Sequence, residues 1–129
     1  MTNILVVEDN FVNMELVVFL LESNGMEVTS AFDGWEALEI LKDSCFDIIL
    51  LDILLPGIDG MAVLKHIKEN PALQHIPVVA LTALAMQGDE QRLIGAGCIG
   101  YISKPIDISQ FLTTVNFYLN KGINHANTQ

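Results

Sequence analysis

Basic residues are scarce. The 129-residue chain carries 6 Lys and Arg against 16 Asp and Glu, a formal net charge of −10. Nucleic-acid backbones are held by Lys and Arg, so this balance argues against a nucleic-acid partner. It suits a metal-binding acidic site or a basic partner, with many carboxylates simply solvated on helix faces. Cysteine is rarer still: Cys45 and Cys98 give neither metal-ligand spacing nor a disulfide framework, so two reduced thiols in a cytoplasmic protein are expected. No apolar run approaches the roughly 20 residues of a membrane span. No basic segment precedes the first apolar run, so no signal peptide is expected. No linker or repeat breaks the chain. What remains is 51% hydrophobic and 17% charged, which excludes disorder as the main state and fits one domain with a sizeable core.

Apolar, β-branched runs alternate with stretches of helical period. Ile4-Leu5-Val6-Val7 reads as a buried strand. A helix over residues 11–24 follows, with Met14, Val17 or Val18, and Leu21 on one stripe and Gly25 as its stop. Residues 26–31 read as a second strand, and Asp33-Gly34 turns into a helix carrying Ala37, Leu38 and Leu41. Ile48-Ile49-Leu50-Leu51 is the third strand. The next helix covers residues 60–69 until Asn70-Pro71 breaks it. Pro77 opens a fourth strand over 78–81, a helix spans 88–96 with Gly97 as its stop, and residues 99–103 form a short fifth strand. The last helix begins at Asp107, an N-cap acceptor with Gln110 at N3, and its apolar face is Ile108, Phe111 or Leu112, Val115, and Tyr118 or Leu119. Five strands alternating with five helices, the strands continuously apolar, predict a doubly wound α/β domain with a parallel sheet covered on both faces. Residues 1–121 form that domain, and residues 122–129 read as a short polar tail.

Asp52 ends the most apolar strand and is followed by Ile-Leu-Leu-Pro-Gly. A carboxylate among Ile and Leu is costly to bury unless it is paired or solvated. In open parallel sheets, ligands bind outside the carboxyl ends of the strands. Glu8 and Asp9 follow strand one, Asp52 ends strand three, Thr82 ends strand four and Lys104 follows strand five, so the out-of-place polar residues share one edge. Three carboxylates in one pocket repel. A hard divalent cation removes that penalty, and Mg²⁺ prefers one or two carboxylates, waters and a phosphate oxygen. With a Lys and a Thr hydroxyl opposite, the set suits attack by a carboxylate on phosphorus, giving an aspartyl phosphate.

The acidic pair Glu8-Asp9, the loop Asp52-x-x-x-Pro56-Gly57-x-x-Gly60, Thr82-Ala83 and Tyr101-Ile102-Ser103-Lys104-Pro105 stand in an order and spacing similar to response-regulator receiver domains. The likeness runs from about Asn3 to Asn120, and the stretch VVEDNFVNMELV resembles stand-alone DivK-like and phosphorelay receivers. The resemblance implies a flavodoxin-like strand order 2-1-3-4-5. It implies Asp52 as phosphoacceptor and Glu8, Asp9, Asp52 and the Leu54 carbonyl as the Mg²⁺ site, with Glu8 acting through water. It implies Thr82, Ala83 and Lys104 around the phosphoryl group, a cis bond to Pro105, and Thr82 with Tyr101 as a switch pair. It further implies phosphoryl donation by a sensor histidine kinase or histidine phosphotransfer protein, and a downstream partner on the face of helix four, strand five and helix five. Such a domain catalyses only its own phosphorylation and dephosphorylation. Leu55 stands where the family usually has Met. Leu54 and Leu84 stand where polar residues are frequent, positions that tune how fast phosphate is lost.

Two rival classes compete with this reading, the second of them on the same topology. A haloacid-dehalogenase-like phosphohydrolase would need a carboxylic acid two residues after the nucleophile, where Leu54 stands. A flavin-binding electron carrier would need a Ser-, Thr- and Gly-rich loop after strand one, where Glu8-Asp9-Asn10 stands. Asp33 and Asp59 read as turn carboxylates, Trp35 as partly packed, and His66, His75 and His125 as surface residues without ligand spacing.

Overall fold

Five short runs form one parallel sheet in the computed structural model, which describes residues 2–83 and 89–127, with side chains as far as residue 121. The strands are β1 (Asn3–Val7), β2 (Glu27–Ala31), β3 (Ile48–Asp52), β4 (Val78–Thr82) and β5 (Gly100–Ser103). Their order is β2-β1-β3-β4-β5, the doubly wound flavodoxin-like arrangement expected from the sequence. The helices are α1 (Phe11–Glu22), α2 (Gly34–Leu41), α3 (Gly60–Glu69), α4 (Asp89–Ala96) and α5 (Ile108–Asn127).

The alternation of side chains along each strand divides the core in two. Ile4, Val6, Ile48, Leu50, Val79 and Leu81 face α1 and α5, meeting Met14, Val17 and Leu21 from one helix and Phe111, Val115 and Leu119 from the other. Leu5, Val7, Ile49, Leu51, Val78 and Ala80 face the opposite way, onto Val63, Leu64 and Ile67 of α3, with Ala37 of α2 and Leu93 of α4. Strands buried on both faces need apolar residues at every position, which is why β3 and β4 read as unbroken runs. Every residue of β3 is buried, and each Leu or Ile there contributes about 1.5–3 kcal/mol relative to exposure.

Caps start the helices close behind the strands. Asn10 accepts from the Asn13 N–H at 2.9 Å, Asp33 from Glu36 at 2.8 Å and Asp59 from Ala62 at 2.9 Å. Glu36 reaches back to the Phe32 N–H at 2.7 Å, completing a capping box on α2. The two turn carboxylates are thus caps, worth about 1 kcal/mol each.

The structure departs from the sequence reading at several ends. α1 stops at Glu22, two residues early, and Gly25 takes its positive φ of 78° in the turn beyond. The expected start of helix four at Gly88 lies outside the described residues. Asp107 does cap α5, but its carboxylate accepts from Ser109 N–H at 3.0 Å and Ser109 Oγ at 2.7 Å. Ile108, expected on the apolar face, is 60% exposed because the first turn of α5 precedes the stretch that reaches the sheet. The polar segment that reads as a tail continues α5 as far as Asn127.

Candidate functional site

The pleat that builds the core also builds the site. Val6 pairs with Leu50, Asp52 with Leu81 and Leu81 with Ile102, all facing α1 and α5. Continuing that alternation by one step places Glu8, Asp52 and Lys104 on the same side at the carboxyl edge. The edge lies where strand order reverses, since β1 sits between β2 and β3, and a crevice opens at such a point. The loop after Asp52 folds back tightly, with the Gly60 N–H donating to Ile53 O at 3.0 Å. A Cβ on Gly60 would collide with the backbone of Asp52 and Ile53, so only glycine permits this return.

At the centre Lys104 bridges two carboxylates. Its Nζ lies 2.8 Å from Asp52 Oδ2 and 2.6 Å from Glu8 Oε1. Glu8 and Asp52 are buried, and Lys104 is nearly so. Asp52 Oδ1 accepts the Leu54 N–H at 2.9 Å, and Glu8 Oε2 accepts the Asn10 N–H at 3.1 Å. Burial raises the Asp52 carboxyl to about 6; Glu8 beside it adds to the rise, and hydrogen bonds from Lys104 and the Leu54 N–H oppose it. Burial pushes Glu8 up as well, but the Lys104 ammonium, the neighbouring Asp52 and the hydrogen bond from the Asn10 N–H hold it below the usual range. Burial alone would lower the Lys104 ammonium; the two carboxylates overcome that and raise it. The pair therefore carries its first proton on Asp52, and near pH 7 Asp52 is mostly an anion held against a cation.

The exposed carboxylate of Asp9 joins these two, and one oxygen from each of Glu8, Asp9 and Asp52 falls within 4.8 Å of the others. Glu8 Oε1 is fully buried and, although it touches Lys104, has no directed hydrogen bond. Three oxygen donors so close, one with unused accepting capacity, fit a hard divalent cation such as Mg²⁺. Lys104 contacts two of these three carboxylates, Glu8 and Asp52, and supplies part of that charge in the metal-free protein.

The remaining predicted residues lie in β4 and β5 or just beyond their ends. Thr82 ends β4, buried, and its carbonyl accepts the Lys104 N–H at 2.9 Å. Ala83 follows it, exposed. Tyr101 pairs with Ala80 in β5 and so shares the Thr82 face, toward α3 and α4. The Lys104–Pro105 peptide is cis. Leu84 lies outside the described residues.

The chain matches the family model for the response regulator receiver domain over residues 4–116. It belongs to the response regulator receiver family. The receiver is 44% identical over 117 residues to the polar-differentiation response regulator DivK of Brucella anthropi, covering 91% of this chain and 95% of that one. DivK of Brucella abortus is equally similar over the same shares. Among solved structures, the chemotaxis response regulator CheY4 of Vibrio cholerae is 27% identical with a TM-score of 0.87, covering 92% of this chain and 98% of that chain. The receiver domain of sensor histidine kinase PA1611 from Pseudomonas aeruginosa, solved with a magnesium ion coordinated in its active-site cleft, is 33% identical with a TM-score of 0.83 over the same shares.

Some of the receiver's rim was not legible from helical period. Phe11 and Phe32 stack with ring centroids 6.4 Å apart, both exposed beside the β1–α1 and β2–α2 loops. Trp35, expected to be partly packed, is 66% exposed. Leu54, two residues past Asp52, is exposed too. Apolar residues that fall off the buried stripe are the signal that marks such a rim; Phe11, Val12 and Phe19 of α1 all do so. His66 and His75 are exposed, as expected, and the His125 side chain lies outside those described.

Proposed function

We propose that this receiver, residues 1–121, is a stand-alone signalling module of the cytoplasm that accepts a phosphoryl group on Asp52. The donor is a phosphohistidine on a sensor kinase or histidine phosphotransfer protein. The observation that carries this reading is the Lys104 ammonium bridging Asp52 and Glu8 beside the three-carboxylate cluster. Asp52, ionised near pH 7, attacks phosphorus; the O–P bond forms as the P–N bond breaks, and the departing imidazole takes a proton. Lys104 then turns to the phosphoryl oxygens, together with the Thr82 hydroxyl and the Ala83 N–H. Glu8, Asp9, Asp52 and the Leu54 carbonyl would hold Mg²⁺. When bound, Mg²⁺ neutralises charge that builds on the transferring oxygens.

Transfer draws Thr82 toward the phosphoryl group, Tyr101 turns into the vacated space, and the α4–β5–α5 face changes its affinity for a downstream protein. Catalysis is confined to the receiver's own phosphorylation and dephosphorylation. The test is incubation with acetyl phosphate, phosphoramidate or an autophosphorylated kinase, followed by intact mass. A gain of one phosphoryl group with Mg²⁺ and none with EDTA is expected. No gain from any of the three donors would overturn the reading.

A further inference from the structure

The α4–β5–α5 face carries a groove with a carboxylate on each side. β5 closes one edge of the sheet, paired only to β4, and a groove of about 430 Å³ runs over that edge between α4 and α5. Glu90 stands on one wall and Asp107 on the other; Tyr101, Ser103, Thr114 and Tyr118 lie between them. The described residues that line it include two carboxylates and no cation. Of the cations near it in sequence, Arg92 lies 3.8 Å from Asp89, Lys104 is turned inward onto Glu8 and Asp52, and the exposed Lys121, one turn past Tyr118, does not line the groove. From Ile108 to Asn120, α5 carries no charged residue at all. It exposes Ile108 and Phe117, the latter edge-on to Tyr118 with centroids 5.2 Å apart.

The groove depends on glycine. The Tyr118 ring lies directly on the Gly100 backbone, where any Cβ would strike Cε1, Cζ and the hydroxyl oxygen. Gly100 thereby lets the tyrosine lie against the strand edge, between the two carboxylates. At docking surfaces a few anchor residues, tyrosine among the commonest, supply most of the binding energy.

We infer that the downstream partner engages this groove through a basic segment, a Lys or Arg between Glu90 and Asp107 beside an aliphatic or aromatic anchor seated over Tyr118. This rests on the proposed use of the α4–β5–α5 face and adds the chemistry of its partner. Complementary charge across the rim speeds encounter and selects against acidic partners.

A phage-displayed library of random 12-residue peptides, selected against the full chain with and without beryllofluoride and Mg²⁺, tests it. Enriched peptides are expected to carry net positive charge and an aromatic or large aliphatic residue. They should weaken at least about tenfold on Glu90→Lys and on Thr114→Arg, whose side chain fills the groove, and keep their affinity for Glu39→Lys, an exposed acidic site on α2. Glu90 is exposed, so Glu90→Lys keeps the test valid should Thr114→Arg perturb α5. Acidic or uncharged winners, winners indifferent to both groove variants, no enrichment, or self-association of the receiver through this face would overturn the inference. Basic winners that bind the groove equally with and without beryllofluoride would uphold it and instead remove the proposed switch.

Discussion

Removing the Lys104 ammonium should leave two buried carboxylates facing one another. In Lys104→Met the chain length is kept, while the contacts at 2.6 Å to Glu8 and 2.8 Å to Asp52 are lost. Removing one partner of a buried ion pair costs about 3–5 kcal/mol. The fold has one relief, protonation of Asp52, whose carboxyl already stands near 6 against an ordinary 3.8. A carboxyl raised in the folded state loses stability as pH climbs from its unfolded value through its folded one, and loss of Lys104 extends that window upward. Each pH unit above the folded value adds about 1.4 kcal/mol to the cost of holding the proton. The variant should therefore be about 3 kcal/mol less stable than wild type at pH 8, and lose less than half as much at pH 5, where Asp52 is protonated in both. Mg²⁺ should restore part of the loss at pH 8. At ten times its dissociation constant it contributes about 1.4 kcal/mol to wild type, and the gain should be larger in the variant, where no ammonium competes for the carboxylates. Urea melts at both pH values, with and without Mg²⁺, measure all of this. A variant as stable as wild type at pH 8 without Mg²⁺, or a loss equal at both pH values, would refute the reasoning.

Asp9→Asn should abolish the Mg²⁺-dependent rise in melting temperature, because it removes the exposed member of the cluster, while leaving the metal-free protein as stable or more so. Thr82→Ala should still be phosphorylated but show weaker beryllofluoride-induced shifts in the resonances of α4 and β5; undiminished distant shifts would separate Thr82 from the switch. Leu54→Asn should hasten loss of phosphate from the phosphorylated form by about tenfold, or about 1.4 kcal/mol of barrier. A polar group there can orient an attacking water, and the exposed leucine cannot. Unchanged decay, followed with Mg²⁺ present, would show that Leu54 does not limit the reaction.

The strands and the site edge were legible because both follow from short-range rules. β3 and β4 are apolar at every position as double burial demands, and the polar residues just past strands one, three, four and five could only lie on one edge. The boundaries were less legible. Periodicity carries α1 on to Asn24, but the turn through Ser23 and Gly25 ends it earlier. Ile108 fits the apolar period of α5, yet position in the first turn leaves it exposed. Period also says nothing about apolar side chains outside the buried stripe, so the Phe11–Phe32 pair emerged only when two loops were brought together in space. The Lys104 bridge was hidden for a similar reason. Sequence places a lysine at the edge but not its ammonium, which lies between Glu8 and Asp52 because the pleat aligns all three.

The central claim is that Asp52 takes the phosphoryl group. The most direct measurement is reductive trapping: phosphorylate with acetyl phosphate and Mg²⁺, reduce the acyl phosphate with borohydride, and locate the product by peptide sequencing. Reduction should convert Asp52 to homoserine in wild type, and Asp52→Asn should yield no reduced residue at any position. Homoserine at another aspartate in the wild-type protein, or an Asp52→Asn variant phosphorylated as fast as wild type, would contradict the account.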